Sequence, residues 1–225
     1  MGARVFVWLG GALFAVSLSL SAWSYTVVMG RRTPFAGWQP IAIDAVLIAM
    51  FALHHSLFAR ERVKAWIGRT IPLALLRSTY VWIASTLLML VCLLWRPIGG
   101  QLYAATGLLA LALAAVQLAG LWITARGVAR IDPLELAGIR PAAQTAGLQV
   151  TGPYRWVRHP LSLGWVLMVF GAAHMTGDRL AFAAITAFYL VVAIPWEERS
   201  LRRSFGDDYA RYMRDVTWRM IPFIY

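Results

Sequence analysis

The sequence predicts an all-α, polytopic membrane protein, and three observations support that prediction. Hydrophobic residues make up 60% of the 225 residues, while charged residues make up only 14%. A soluble domain would carry about 25% charged residues. The apolar residues form long stretches, and an α-helix needs about 20 such residues to cross a bilayer. Together these observations predict a bundle of about six transmembrane helices, followed by amphipathic C-terminal helices.

Six apolar segments are the predicted transmembrane helices. They lie at residues 5–29, 39–59, 79–95, 102–125, 160–176 and 180–196. Only Gly177-Asp178-Arg179 separates the last two, which predicts a tight helical hairpin. The first segment is too long for the apolar part of a signal peptide, so we interpret it as a helix. The chain is thus predicted to be one integral-membrane domain, residues 1–225. In it, residues 1–125 form a helical scaffold, and residues 126–225 form a loop, the hairpin and an amphipathic tail.

The basic residues predict the orientation of the chain. With six spans, 17 of the 21 lysines and arginines fall on one side, in the N-terminus, two loops and the C-terminal tail. Positively charged loops stay in the cytoplasm, so both termini are expected there. Twenty arginines against one lysine point to a GC-rich bacterial genome, and hence to a bacterial inner membrane.

Despite the net charge of +11, the chain offers too little polar surface for a nucleic-acid site. Membrane lipid is the expected partner, and no obligate protein partner is inferred.

The stretch from Thr151 to Gly164 concentrates candidate binding residues before the fifth predicted span. Gly152-Pro153 is typical of a turn, and Pro160 suits the first position of a helix. The unpaired N–H groups and partial positive charge of a helix start favour anions. Nearby arginines and a histidine would strengthen such a site for a carboxylate or phosphate: Arg155, Arg158 and His159. The alternative is that these residues only mark the cytoplasmic end of a membrane span.

Topology places other polar residues at the same predicted depth. His54 and His55 end the second span, and Glu197 and Glu198 end the sixth. With the basic stretch, these residues would frame a pocket at the inner membrane boundary. A zwitterion would fit this pocket, because its carboxylate would meet cations and its ammonium would meet a glutamate. The site is therefore predicted to bind an amino-acid-like ligand.

The C-terminal tail is predicted to be amphipathic and helical. Its apolar residues recur at helical spacing beside arginines: Leu201, Phe205, Tyr209 and Tyr212. Gly206 is a candidate break between two tail helices. No dinucleotide-binding, phosphate-binding or metal-binding motif occurs in the sequence, and the single Cys92 excludes an intrachain disulfide.

Two motifs in the last third of the chain resemble the integral-membrane methyltransferase superfamily. They are Gly152-Pro-Tyr-Arg-x-Val-Arg158-His-Pro-x-x-x-Gly164 and Glu197-Glu-Arg-x-Leu-x-x-x-Phe-Gly206-x-x-Tyr-x-x-Tyr212, followed by Ile221-Pro222. That group includes isoprenylcysteine carboxyl methyltransferases and phospholipid methyltransferases. Two positions depart from its pattern: Ser162 stands where tyrosine is usual, and Thr217-Trp218 replaces a proline.

Further motifs resemble the branch that contains methanethiol S-methyltransferases and NnrU-like proteins. They are His55-Ser-Leu-Phe-Ala-Arg60, Arg77-Ser-Thr-Tyr80, Trp95-Arg-Pro-Ile-Gly99 and Asp132-Pro-Leu-Glu-Leu-Ala-Gly138. The resemblance implies S-adenosylmethionine as cofactor, bound on the cytoplasmic side. It implies these cofactor-binding residues: Tyr154, Arg155, Arg158, His159, Pro160, Gly164, Glu197 and Glu198. Residues 126–225 would then hold the cofactor.

Methyl transfer from a sulfonium is an in-line displacement, so such an enzyme mainly positions its reactants and excludes water. A small thiol such as methanethiol is the expected acceptor, and His55 or His159 could take its proton. His55 and Glu198 are the catalytic candidates, and no metal is required. Arg199 and Arg202 are candidate substrate-binding residues, since an acceptor carboxylate would need a cationic clamp.

Other functions remain open on the sequence alone. An isoprenylcysteine carboxylate or a phospholipid amine could replace the thiol as acceptor. A haem protein with His55 and His159 as axial ligands, or a transporter, represents another class. Against transport, the polar residues gather at one predicted membrane surface rather than at the midplane.

Overall fold

The computed structural model describes residues 2–58, 60–130, 132–140 and 147–225, and within these ranges the chain is mainly α-helical. Its α-helices are Gly2–Trp23 (α1), Gln39–Phe58 (α2), Glu61–Ile67 (α3), Leu73–Leu94 (α4), Gly107–Val128 (α5), Pro133–Leu136 (α6), Pro160–Phe170 (α7) and Gly177–Asp215 (α8). A π-helical turn, Ser24–Val28, extends α1, and a 3₁₀ turn covers Gly152–Arg155. Two short strands, Gln101–Ala104 (β1) and His174–Thr176 (β2), pair with each other. The predicted all-α fold class is confirmed.

Five helices in the described ranges are long and apolar enough to cross a membrane. They are α1 with its π-helical turn, α2, α4, α5 and α8. A helix of 22 residues such as α4 or α5 is about 33 Å long and so matches the hydrocarbon core of about 30 Å. The predicted second span reaches Ala59, which lies outside the described residues.

The predicted fifth span, residues 160–176, is shorter than expected. The helix α7 begins at Pro160 as predicted, but it ends at Phe170 after 11 residues, or about 16 Å. The chain then leaves the helix because its backbone bonds to the segment around β1: Ala173 O accepts from Ala105 N at 2.8 Å. The same pairing explains why the predicted helix from 102 starts only at Gly107. The predicted number of spans and the predicted location of both termini in the cytoplasm remain predictions.

The predicted three-residue linker 177–179 is wrong, because these residues form the first turn of α8. Asp178 is buried, and its carboxylate accepts hydrogen bonds from Trp95 Nε1 at 2.8 Å and from Ile98 N and Gly99 N at 2.9 Å. Arg179 donates to the carbonyl oxygen of Thr26, in the π-helical turn, at 2.8 Å. Tertiary hydrogen bonds therefore give this segment a structural role that its turn-like sequence does not suggest.

The chain forms two compact units. Among the described residues, the first contains 2–58, 60–101, 132–140 and 176–181. In it, Gly10 of α1 lies against the ring of Trp82, whose Nε1 donates to Phe6 O at 3.0 Å and so joins α1 to α4. The loop that contains α6 packs on α4, where Arg77 Nε donates to Glu135 O at 3.0 Å. Two of the motifs that define the branch resemblance thus contact each other.

Among the described residues, the second unit contains 102–130, 147–175 and 182–225. Its central contact is the crossing of α5 and α7, where Gly120 and Gly164 face each other without side chains between them. A Cβ at Gly164 would collide with Thr124 Oγ1 and would lie 2.7 Å from Gly120 O. The sequence marked Gly164 as a cofactor-binding residue, and the structure places it in a helix crossing; the binding role remains a prediction.

We expect Gly164→Ala to lower the free energy of unfolding by about 1–3 kcal/mol, because overpacking forces the two helices apart. Thermal unfolding of the purified protein in detergent measures this change. Gly147→Ala is the matched control, since a Cβ at Gly147 meets open space. Equal melting temperatures for the two variants would contradict the tight helix crossing.

Candidate functional site

The Arg-His-Pro stretch folds as the sequence predicts, into a turn followed by a helix. Gly152 adopts φ +63°, a conformation that glycine allows without strain, and the 3₁₀ turn Gly152–Arg155 follows. His159 occupies the N-cap position of α7, and Pro160 is its first residue. Arg158 and His159 thus lie directly before α7, between the 3₁₀ turn and the helix.

Arg158 and Glu198 form a buried ion pair at the centre of the site. Arg158 Nε lies 2.6 Å from Glu198 Oε1, and both side chains are about 5% exposed. A second guanidinium nitrogen of Arg158 donates to the carbonyl oxygens of Val216 and Thr217, both at 2.7 Å. The other Glu198 oxygen accepts from Arg219 Nε at 3.1 Å. One carboxylate therefore joins two arginines that are far apart in the chain, and each hydrogen bond to a charged group is of the stronger kind.

The segment after α8 is part of this site. Arg158 N donates to Trp218 O at 2.9 Å, and His159 N donates to Arg219 O at 2.7 Å. These two bonds hold the C-terminal segment along the Arg-His-Pro stretch. The sequence analysis did not identify Arg219 as a site residue, because a backbone pairing across about 60 residues leaves no local pattern.

His159 lies between the two adjacent glutamates. Its Nδ1 is 3.5 Å from Glu197 Oε2 and its Nε2 is 3.5 Å from Glu198 Oε1, so both contacts are at the outer limit of hydrogen bonding. The ring is buried, and its Nε2 makes no well-formed hydrogen bond in the described part of the chain. The Glu197 side chain, in contrast, is 61% exposed and is accessible to a ligand.

Tyr154 adjoins the same cluster. Its backbone oxygen accepts from Tyr212 OH at 2.7 Å, which ties the 3₁₀ turn to the last part of α8. Burial, together with the charge of Glu197, raises the pKa of Tyr154 above its ordinary value. The Tyr154 hydroxyl therefore stays protonated at neutral pH. The structure thus brings together five predicted site residues: Tyr154, Arg158, His159, Glu197 and Glu198.

Other predicted residues of this unit lie on its surface. Arg155 is exposed at the end of the 3₁₀ turn, and Arg202 is exposed on α8. Arg199 is also exposed, and its guanidinium lies 4.7 Å from the centre of the Trp196 ring. These three cations are accessible to an anionic ligand, but their predicted binding roles remain predictions.

His55 belongs to the first unit. Its Nδ1 forms a short hydrogen bond with the hydroxyl of Tyr80, whose ring also stacks on His54 with centroids 5.4 Å apart. Arg77 lies 5.3 Å from the centre of the same ring. The tautomer in which Nδ1–H donates to the Tyr80 oxygen leaves the Nε2 lone pair available to accept a proton. The predicted catalytic role of His55 remains a prediction.

No group of three or more histidine, cysteine, aspartate or glutamate side chains in the described ranges could hold a metal ion.

Comparison with known proteins assigns the family. A family profile described as phospholipid methyltransferase matches residues 136–208. A methanethiol S-methyltransferase from Bradyrhizobium diazoefficiens is 36% identical over 79% of this chain and 72% of its own length. One from Crocosphaera subtropica is 36% identical over 82% and 75%, and one from Mycobacterium tuberculosis is 34% identical over 80% and 77%.

No solved structure matches the chain significantly. The matches to the named relatives extend over about four fifths of the chain and most of each relative, well beyond the two motifs of the last third. Together with its long apolar helices, they identify an integral membrane protein. The chain therefore belongs to the integral-membrane methyltransferase superfamily, as a methyltransferase related to the methanethiol S-methyltransferases.

Proposed function

We propose that this protein transfers a methyl group from S-adenosylmethionine to a small thiol such as methanethiol. The observation that supports the acceptor is the similarity to relatives named methanethiol S-methyltransferase, at 34–36% identity over most of the chain. The observation that supports the donor is the cluster around Glu198, which contains charged groups of both signs.

The residues of the cluster fit the amino-acid part of S-adenosylmethionine. The exposed Glu197 carboxylate suits an ammonium group, and Arg155 lies exposed on the adjoining turn. Around Glu198, the buried polar atoms His159 Nε2 and Tyr209 OH lack hydrogen-bond partners among the described residues. Since buried polar atoms are normally paired, such atoms indicate a place for a ligand.

When bound, S-adenosylmethionine supplies an electrophilic methyl group on a sulfonium. In this proposal Arg158 acts by positioning, because its guanidinium is bound to Glu198 and to the two carbonyl groups after α8. Glu198 holds Arg158 and Arg219 in place. Gly164 and Pro160 place the start of α7 beside them. Exclusion of water by this buried network would favour the displacement.

A thiol must lose its proton to become a nucleophile, and we propose His55 as the proton acceptor. We expect His55→Asn to lower kcat about 100-fold at pH 7. The difference in kcat between wild type and His55→Asn becomes smaller as pH rises towards the pKa of the free thiol, because the thiolate then forms in solution. Rates measured from pH 6.5 to 9 check this. If the His55→Asn protein has the same kcat as wild type at pH 7, His55 does not accept the proton, whichever methyl acceptor is used.

The phospholipid methyltransferase profile favours a second candidate, in which a phospholipid amine is the acceptor. An isoprenylcysteine carboxylate is a further possibility that would use Arg199 or Arg202 as its clamp. These candidates keep the donor site and change only the acceptor. We also propose that the donor site faces the cytoplasm of a bacterial inner membrane.

A panel of acceptors tests the proposal. Detergent-purified protein is given methyl-labelled S-adenosylmethionine with methanethiol, a farnesylcysteine analogue or phosphatidylethanolamine. Labelled dimethyl sulfide as the main product would support the thiol acceptor. Label in the lipid or the farnesyl product alone would overturn the thiol and leave the donor proposal intact.

A further inference from the structure

Tyr209 is a buried polar residue to which the proposed function assigns no role. Its side chain is 1% exposed, yet its hydroxyl has no hydrogen-bond partner among the described residues. Buried tyrosine hydroxyls usually find a partner, because a donor without one loses its hydrogen bond to water. An unpaired hydroxyl next to a charged site therefore needs an explanation.

The ring and the hydroxyl of Tyr209 have different surroundings. The ring belongs to an apolar cluster with Tyr212 and Val216, on which Leu201 and Phe205 also pack. The hydroxyl lies within electrostatic range of Arg158, Glu197 and Glu198. Apolar packing thus fixes the ring, while the hydroxyl lies within electrostatic range of the charged cluster.

Glu198, Tyr212 and Arg158 already have other partners. Glu198 accepts from Arg158 through one oxygen and from Arg219 through the other. The neighbouring Tyr212 donates its hydroxyl to Tyr154 O. Arg158 is likewise bound to Glu198 and to two backbone carbonyls. Among the buried polar atoms around Glu198, those without a hydrogen-bond partner in the described part of the chain are Tyr209 OH and His159 Nε2. The Tyr209 hydroxyl is a neutral donor that an entering carboxylate could use.

We propose that Tyr209 is a binding residue for the methyl donor, and that its hydroxyl donates a hydrogen bond to the carboxylate of the amino-acid part. This inference rests on the proposed function. A neutral donor suits this place, because it binds the carboxylate without competing with Glu198 for either arginine. The exposed Glu197 then meets the ammonium of the same ligand.

The test compares Tyr209→Phe with Tyr103→Phe. Both changes remove one hydroxyl from the second unit, but Tyr103 OH has a protein partner, Ala172 O, at 3.0 Å. Calorimetry measures the affinity for S-adenosylmethionine and for its decarboxylated analogue, and thermal unfolding measures stability without ligand.

Tyr209→Phe is expected to bind S-adenosylmethionine about tenfold more weakly, to bind the decarboxylated analogue like wild type, and to keep its melting temperature. Tyr103→Phe is expected to melt at a lower temperature and to bind both ligands like wild type. If Tyr209→Phe binds S-adenosylmethionine as tightly as wild type, or loses the same affinity for both ligands, the role of Tyr209 is overturned and the donor proposal stands. Wild-type protein that binds neither ligand would overturn the donor proposal as well.

Discussion

Replacing Glu198 with glutamine is expected to abolish measurable binding of S-adenosylmethionine and to destabilise the protein by about 3–5 kcal/mol. The neutral amide cannot balance the buried guanidinium of Arg158, whose side chain is 5% exposed. Glutamine also keeps only one acceptor oxygen for the two arginines Arg158 and Arg219, so the C-terminal segment loses a charged contact with α8. Calorimetry and thermal unfolding of the same purified sample measure the two effects.

Asp208→Asn is the matched control for this change. Asp208 also pairs with an arginine of α8, Arg211, but both side chains are about 70% exposed and lie 3.9 Å apart. Exposed pairs of this kind contribute about 0–1 kcal/mol. A Glu198→Gln protein that binds the cofactor and melts like the Asp208→Asn protein would contradict the central role of the buried pair.

Gly206→Val is expected to lower the free energy of unfolding by about 1–3 kcal/mol and to weaken cofactor binding. Gly206 has φ 51° and ψ −122°, which divides α8 into two helical segments. A β-branched residue cannot adopt this conformation without strain. The strained chain would then shift Tyr209 and Tyr212, which follow the bend.

The cause of this effect is the backbone and not the available space, because a Cβ at Gly206 would meet no atom within 4 Å. Gly147→Val controls for side-chain size, since Gly147 faces open space and does not have a left-handed φ. Thermal unfolding and cofactor affinity are compared for both variants. If valine at 206 is tolerated as well as valine at 147, the bend is not required for the site.

The membrane helices were largely predictable from the sequence because their signal is local. A segment of about 20 residues in which apolar side chains predominate, as in α2 and α5, leaves few alternatives to a spanning helix. The break at Gly206 was also predictable, since glycine after a helical pattern commonly ends it. The predicted break is confirmed by the non-helical conformation at that residue.

The errors arose where contacts between distant residues decide the local structure. The apolar pattern after Phe170 does not reveal that Ala173 bonds to Ala105, and so α7 was predicted too long. In the same way, Asp178 resembles a turn residue in the sequence, whereas its hydrogen bonds to the segment 95–99 place it at the start of α8.

The same distinction applies to the candidate site. Arg158 and Glu198 could be brought together from topology, because each lies at the end of a predicted span. Arg219 could not, since it reaches Glu198 through a tail with no periodic pattern. Tyr209 was interpreted as part of an apolar helix face, which describes its ring and overlooks its hydroxyl.

The most direct test of the account is to locate the methyl donor on the chain. Photo-crosslinking of radiolabelled S-adenosylmethionine to the purified protein, followed by peptide mapping, identifies the residues around it. We expect label in the peptides that contain residues 154–159 or 197–212, and its loss in the presence of excess S-adenosylhomocysteine. Competable label found only within residues 2–58 would contradict a donor site built on Arg158, His159 and Glu198.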